Sequence, residues 1–372
     1  MEKNSRICLW GFSLWLAVSG AFACSVPVFR YALERWESDP YTIYLMHDGS
    51  RPEEINEAEQ FLAPYAKLNA LDTIRANLAD PRVEQAIRQR GIDSAGSLPR
   101  IVATLPRTYY SPKPVVVMDV PLTEESLRRL VDSPVRRELA RRLIAGESAV
   151  WLLMESGNPA RDDAAEKRLR KELGRLEGEI ALPELEAEDM RSFNLEQDSL
   201  KIAFSVLRFA RNDPAETLLA NILLRSSPGL DTPLAEPVAF PVFGRGRKLA
   251  AFAGDAISVE NIQQATLFIA DSCSCEIKES NPGMDLLLPV DWDRYIDNLI
   301  GFDESLPPLT GYGRFVPPAT AKVAICPARP PEAPTAPAEP RPLLRNLLVA
   351  GVALVLVLGV STGIVLRKRG RE

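Results

Sequence analysis

Residues 236–254 read EPVAFPVFGRGRKLAAFAG. The run over 238–243 is apolar and rich in valine and phenylalanine, and a second apolar run covers 248–252. Between them Gly244, Arg245, Gly246 and Arg247 supply the glycines that a tight reversal needs, because glycine alone enters positive φ without steric cost. The spacing predicts two strands around a turn. Pro237, which has no N–H to donate, opens the first strand; Gly254 closes the second, ahead of a helix that Ser258 caps and that runs to Ala270.

Upstream of this unit the chain supplies the elements that precede it. Residues 149–155 (AVWLLME) form an apolar run of buried-strand length, and 160–180 carry Ala165, Leu169, Leu173, Leu176 and Ile180 at helical spacing. Residues 200–209 alternate Ile202, Phe204 and Val206 on one face, and Asp213, Pro214 and Glu216 make a capping pattern for a helix through Leu224. The order is strand, helix, strand, helix, strand, strand, helix.

The first half runs through the same order. A short amphipathic helix with Phe29, Leu33 and Trp36 precedes a strand in TIYLMHDG, and 52–63 read as a helix with Glu53 and Glu54 in its first turn. Residues 71–78 and 81–90 follow as a strand and a short helix; LPRIVATLP and PVVVMDV are two further strands. Thr123 caps a helix through Val131, and Ser133 with Pro134 restarts one that runs to Gly146. Two passes of about 120 residues each argue for tandem copies of one α/β unit. The expected folded domains are 24–146 and 147–316, the second with a C-terminal extension.

That order, βαβαββα, resembles the thioredoxin fold, in which a proline commonly opens the third strand in cis; Pro99 and Pro237 stand at the matching places. The resemblance covers roughly residues 40–270. Thioredoxin-family enzymes hold C-x-x-C at the end of the first strand, where the helix N-terminus favours a thiolate. Here those places hold His47, Asp48, Gly49 and Ser50 in the first unit and Ser156, Gly157, Asn158 and Pro159 in the second. Neither holds cysteine, so dithiol exchange does not carry over. The expected function is a binding or assembly module, with no catalytic residue and no cofactor.

Outside those turns, the chemistry-bearing residues are few. Cys273 and Cys275 form a C-x-C pair that can make a small reducible disulfide or offer two thiolates to a soft metal such as Cu(I). With Cys24 and Cys326 they make four cysteines, which in an oxidising compartment read as a disulfide framework of undetermined pairing. His47, the only histidine, sits beside Asp48 with no nucleophile near it in sequence, and a turn-packing role is the expectation. The run RDDAAEKRLRKELGRLEGE pairs charges at i and i+4 around a leucine stripe and reads as a solvated helix face. Trp292 and Tyr295 are read as core.

The ends fix an address. Lys3 and Arg6 precede an apolar stretch and an A-x-A site at Ala21 to Ala23, a signal peptide over 1–23 that leaves Cys24 first in the mature chain and a candidate for lipidation. Residues 317–342 carry nine prolines among PPATAKVAICPARPPEAPTAPAEPRP and read as an extended stalk. Residues 343–366 hold an uncharged run of 20, LLVAGVALVLVLGVSTGIVL, long enough to cross about 30 Å of hydrocarbon. Gly359 and Gly363 within it form G-x-x-x-G, which lets two membrane helices approach. Arg367, Lys368, Arg369 and Arg371 follow in a cytoplasmic tail, 367–372, which orients the bulk of the chain outside the cytoplasm. The expected partners are the membrane, crossed once, and another protein of the cell envelope, in the periplasm or outside. A net charge of -6 gives no sign of a nucleic-acid partner.

Overall fold

The computed structural model describes residues 25–68, 70–107, 113–193, 200–230, 235–273 and 277–300. All of them fall in one compact unit, 1–327. The signal peptide, stalk, membrane helix and basic tail lie outside the described residues, and no helix among the described residues is long and apolar enough to cross a membrane.

The fold is α/β with two mixed sheets. In chain order its elements are α1 (Val28–Arg35), β1 (Tyr41–His47), α2 (Pro52–Lys67), β2 (Leu71–Asn77), α3 (Pro81–Gln89), β3 (Arg100–Thr104), β4 (Val116–Pro121), α4 (Glu124–Val131), α5 (Pro134–Ile144) and β5 (Ala149–Glu155). The chain continues through α6 (Pro159–Glu179), α7 (Ala187–Ser192), β6 (Phe204–Ala210), α8 (Thr217–Arg225), β7 (Val238–Phe243), β8 (Arg247–Lys248), β9 (Phe252–Ala253), α9 (Val259–Ala270), β10 (Met284–Asp285) and α10 (Trp292–Ile300).

Local chemistry explains most of these boundaries. Proline opens α2, α3, α5 and α6, where its missing donor costs no intrahelical bond. Thr123 and Ser126 form a reciprocal capping box on α4, and Ser258 Oγ accepts from the Asn261 amide on α9. At α5 the N-cap Ser133 makes no local capping bond. The helix's free amide is met from across the molecule: Glu216 takes the Val135 N–H at 2.7 Å and the Ser133 hydroxyl at 2.6 Å. A buried carboxylate at a helix N-terminus satisfies a donor and the dipole together.

The first sheet has the order β2-β1-β3-β4, with β1 parallel to β2 and antiparallel to β3. The second has the order β10-β8-β7-β5-β6, again with the first two of its strands parallel and the third antiparallel. The expected single strand over 248–252 is split into β8, which pairs the end of β7, and β9, which pairs its start. The Leu98–Pro99 bond is cis, and among the described residues it is the one cis bond, so Pro237 enters β7 in trans. A proline in the chain removes a donor in either isomer, so its position predicts the strand start and leaves the isomer open.

One ion-pair pattern recurs in both halves. Arg75 on β2 donates to Glu59 and Asn56 of α2 at 2.6–2.9 Å, and Arg208 on β6 donates to Glu166 and Asp163 of α6 at 2.5–2.9 Å. Each arginine is the fifth residue of its strand. Being partly exposed, each pair is worth at most about 1 kcal/mol, so the repetition says more about register than about stability.

The two sheets share one core. A continuous buried cluster runs from Tyr41, Ile43 and Leu45 on β1 through α2, α4, α5 and α8 to Val150, Leu152 and Met154 on β5. The far face of the second sheet, with Trp151 and Leu153, packs on α6, α9 and α1, and the far face of the first, with Tyr44 and Met46, packs near Ile87 of α3. Although α1 comes first in the chain, it belongs to the second sheet, joined there by the Pro27–Ser272 bridge.

The turn at 244–247 gathers both ends. A Cβ on Gly244 would sit 2.7 Å from Ala32 of α1, and one on Gly246 would sit 2.5 Å from Leu288; both glycines have positive φ. Arg245 donates to the Leu33 and Glu34 carbonyls at the end of α1, at 2.7 and 3.2 Å. Arg247 reaches the other way, to the Pro282 and Asn281 carbonyls and to Asp285 at 3.1 Å. Asp285, 3 % exposed, also meets Lys278 at 2.5 Å and the Asp39 amide at 2.9 Å. Replacing Asp285 with alanine leaves two buried cations without their shared anion, so chemical denaturation is expected to show a loss of about 3–5 kcal/mol. An unchanged denaturation midpoint would contradict this clasp.

Candidate functional site

The turns after β1 and β5 are the places where the resemblance set out above would expect a dithiol. The candidate site is therefore the pair of turns after β1 and β5. After β1, the Gly49 amide donates to His47 Nδ1 at 3.1 Å, and Asp48 accepts from the Ser50 amide at 2.9 Å and its hydroxyl at 2.5 Å. The Ser50 hydroxyl and amide hold the Asp48 carboxyl below its usual range. Burial, then the Arg75 charge, lowers the His47 pKa, which keeps the imidazole neutral. His47 Nε2 is buried with no hydrogen-bond partner among the described residues. The turn-packing role expected for His47 fits this geometry better than acid–base work, which needs an accessible nitrogen.

The turn after β5 is closed by a carboxylate. Asp162, 2 % exposed in the first turns of α6, accepts from the Ser156 amide and hydroxyl, both at 2.7 Å, and from the Gly157 amide at 3.1 Å. Asn158 caps the helix by accepting from the Ala160 and Arg161 amides. The donors that would face a bound anion or an attacking thiolate are all engaged within the turn.

The approach to each proline loop is closed by an arginine. Arg51 donates to the carbonyl of Leu98, the residue before Pro99, and Arg211 donates to the carbonyl of Glu236, the residue before Pro237, at 2.6 Å. Arg161 adds an ion pair to Glu236 at 2.5 Å. Main-chain groups beside the turn that could dock an extended chain are thereby already bonded.

The cysteines lie elsewhere. Cys273 is 1 % exposed within the apolar cluster of the second sheet, and its amide donates to the Val26 carbonyl at 3.0 Å. Cys24, Cys275 and Cys326 lie outside the described residues. Among the described residues, no group of three or more histidine, cysteine, aspartate or glutamate side chains is placed to hold a metal ion. Trp292 is buried, as expected, whereas Tyr295 is 39 % exposed and lines a groove.

That groove, of about 570 Å³, runs between α5 and residues 288–295. Its arginines are already partnered. Arg136 donates to Ser133, to the Leu130 and Leu287 carbonyls and to the Arg129 carbonyl, while Arg137 pairs with Asp132 and Arg141 with Glu138. Burial lowers the Arg136 pKa to about 10, against the opposing pull of Glu216.

Sequence reading overlooked Lys248. It is 4 % exposed on β8, donates at 2.9–3.0 Å to the Ser226 carbonyl and the Ser226 and Ser227 hydroxyls, and has its pKa lowered to about 7 by burial. It thereby hydrogen-bonds the C-terminal end of α8. Only a contact between distant segments creates this environment, and no local motif announces it.

Two measurements test this picture. Asp162→Ala strips the acceptor from three donors and is expected to cost about 1–3 kcal/mol by denaturation, with no change if the turn closes itself by other means. Lys248 is neutral in the fold above about pH 7, whereas an unfolded lysine stays charged to about 10.4. Between these limits unfolding takes up a proton, so stability rises with pH by up to about 1.4 kcal/mol per unit. The stability difference between the natural chain and Lys248→Met is therefore expected to grow from pH 7 to pH 10; a flat difference would contradict the assignment. No family model matches this chain, and no curated protein matches it in sequence.

Proposed function

We propose that this chain is a single-pass membrane protein that carries two thioredoxin-like units outside the cytoplasm and uses them for binding or assembly rather than for redox catalysis. The observation that carries this reading is chemical: neither strand-to-helix turn contains sulfur, and both have their donors engaged internally, by His47 and Asp48 in one and by Asp162 in the other. A turn closed in that way offers no attacking group and no vacant anion cradle.

The thioredoxin-like part is supported by the two sheets. Each orders its strands second, first, third, fourth of its unit, with a parallel first pair and an antiparallel third strand. The arginine on the fifth residue of each second strand pairs with the helix before it, which supports tandem copies with a common register. The membrane part is supported by sequence alone, through the uncharged run of 20 and the arginines and lysine that follow it. The partner class is another envelope protein.

The competing reading, thiol or soft-metal handling through Cys273 and Cys275, asks for two accessible sulfurs, and Cys273 is buried. Insulin reduction and disulfide isomerisation, measured on the full chain and on Cys273→Ser with Cys275→Ser, separate the two. Neither protein is expected to turn over substrate above the uncatalysed rate. Activity in the natural chain that vanishes in the double variant would replace the proposal with the competing reading.

A further inference from the structure

Five strands lie at the edges of the two sheets, among them the two-residue β9, which pairs β7 alone, and in three of them, β4, β6 and β10, main-chain groups are bonded from outside the sheet. On β4, Asn221 donates to the Val117 carbonyl at 2.9 Å and Arg225 to the Val116 carbonyl. On β6, Glu177 accepts from the Phe204 amide at 2.6 Å and Arg142 donates to the Val206 carbonyl at 3.2 Å. The third, β10, is only two residues long and runs into the clasp, with its Asp285 carbonyl taken by the Tyr41 hydroxyl at 2.9 Å. A side chain or a neighbouring segment thus blunts each, as edge strands require.

The remaining edge is β2, seven residues long. Its register fixes which groups face outward. The Ala70 carbonyl accepts from the Tyr41 amide and the Leu78 amide donates to the His47 carbonyl, so even-numbered residues turn their backbone toward β1. Odd-numbered residues turn theirs away. Among the described residues, nothing hydrogen-bonds to the outward N–H and C=O groups of Thr73 and Arg75.

We propose that a second copy of this chain pairs with this edge, β2 against β2, antiparallel about a two-fold axis through Ile74. The numbering makes the edge self-complementary. With Ile74 on the axis, Thr73 of one copy exchanges both backbone hydrogen bonds with Arg75 of the second copy, and symmetry repeats the exchange, which gives four bonds. Side chains agree with that pairing. Ile74 meets Ile74, Asp72 faces Ala76 and Arg75 faces Thr73, so no like charges stand directly opposite. Ile74 is half-buried against the cluster of Tyr44, Met46 and Ile87, so the contact extends an existing apolar face.

An edge of this length is a small interface by itself. Here the inference rests on the membrane anchorage proposed above: two copies held in one bilayer meet at a high effective concentration, and the G-x-x-x-G at Gly359 and Gly363 lets their membrane helices touch. Both features call for the same occupant, another copy of this chain.

Cysteine placed at position 74 reads the axis directly, because opposed residues of a non-hydrogen-bonded antiparallel pair lie within disulfide reach. Full-length Ile74→Cys, oxidised mildly in its own membranes, is expected to give a covalent species of twice the monomer mass, with the link mapped by mass spectrometry to the peptide containing position 74. Asp72→Cys is expected to give none, since its two copies would stand about 13 Å apart. Adding Thr73→Pro, which removes an outward N–H and no bond to β1, is expected to abolish the Ile74→Cys link while circular dichroism stays unchanged. A monomeric Ile74→Cys chain, or equal linking at 72 and 74, overturns the proposal. Carbonate extraction of the same membranes reports the anchorage separately: a chain retained in the membrane that gives no link overturns the edge pairing alone, and a chain that is released overturns the anchorage.

Discussion

Among the described residues, the two sheets are held to each other by one apolar layer that they share. The inner face of β1 and the inner face of β5 both bury aliphatic side chains into α2, α4, α5 and α8, and no solvent-facing seam divides the cluster. At about 25 cal/mol per Å² of apolar surface removed from water, such a layer outweighs any single polar contact described above. The two sheets are thus joined through one buried cluster.

Polar groups act on that body as locators. Glu216 caps α5 from the other half of the chain; Arg136 ties the end of α4 to the carbonyl of Leu287; Arg245 and Arg247 hold α1 and the C-terminal extension to one tight turn. Each of these groups is buried or nearly so and would be costly if left alone, so their partners must be in place whenever the layer is formed. They select one arrangement among the many that burial alone permits. The same economy appears at the two strand-to-helix turns, where acceptors from His47, Asp48 and Asp162 close the positions that redox chemistry would need open.

What the surface leaves open is correspondingly limited. Outside groups bond main-chain atoms of the β4 and β6 edges, none among the described residues bonds those of Thr73 and Arg75 on β2, and the groove beside α5 is lined by arginines that already have partners. The proposed assembly role rests on these closed turns and on the outward groups of β2.

The sequence by itself determined the order and limits of most elements. Apolar period, prolines at helix starts and capping residues such as Thr123 and Ser258 act within a few residues of one another, so the α/β alternation, the 149–155 strand and the hairpin around Gly244 were all legible. The missing dithiols were legible for the same reason, since an absence at a fixed offset needs no tertiary information. Tertiary structure alone decided that α1 packs on the second sheet, that the 248–252 run splits into β8 and β9, that Pro237 is trans, and that Lys248 is buried with its pKa near 7. It also decided that β2 lies at a sheet edge. Most of these depend on segments that meet only in the fold, such as Pro27 with Ser272 or Lys248 with Ser226, and burial, unlike periodicity, is a property of the meeting rather than of either segment.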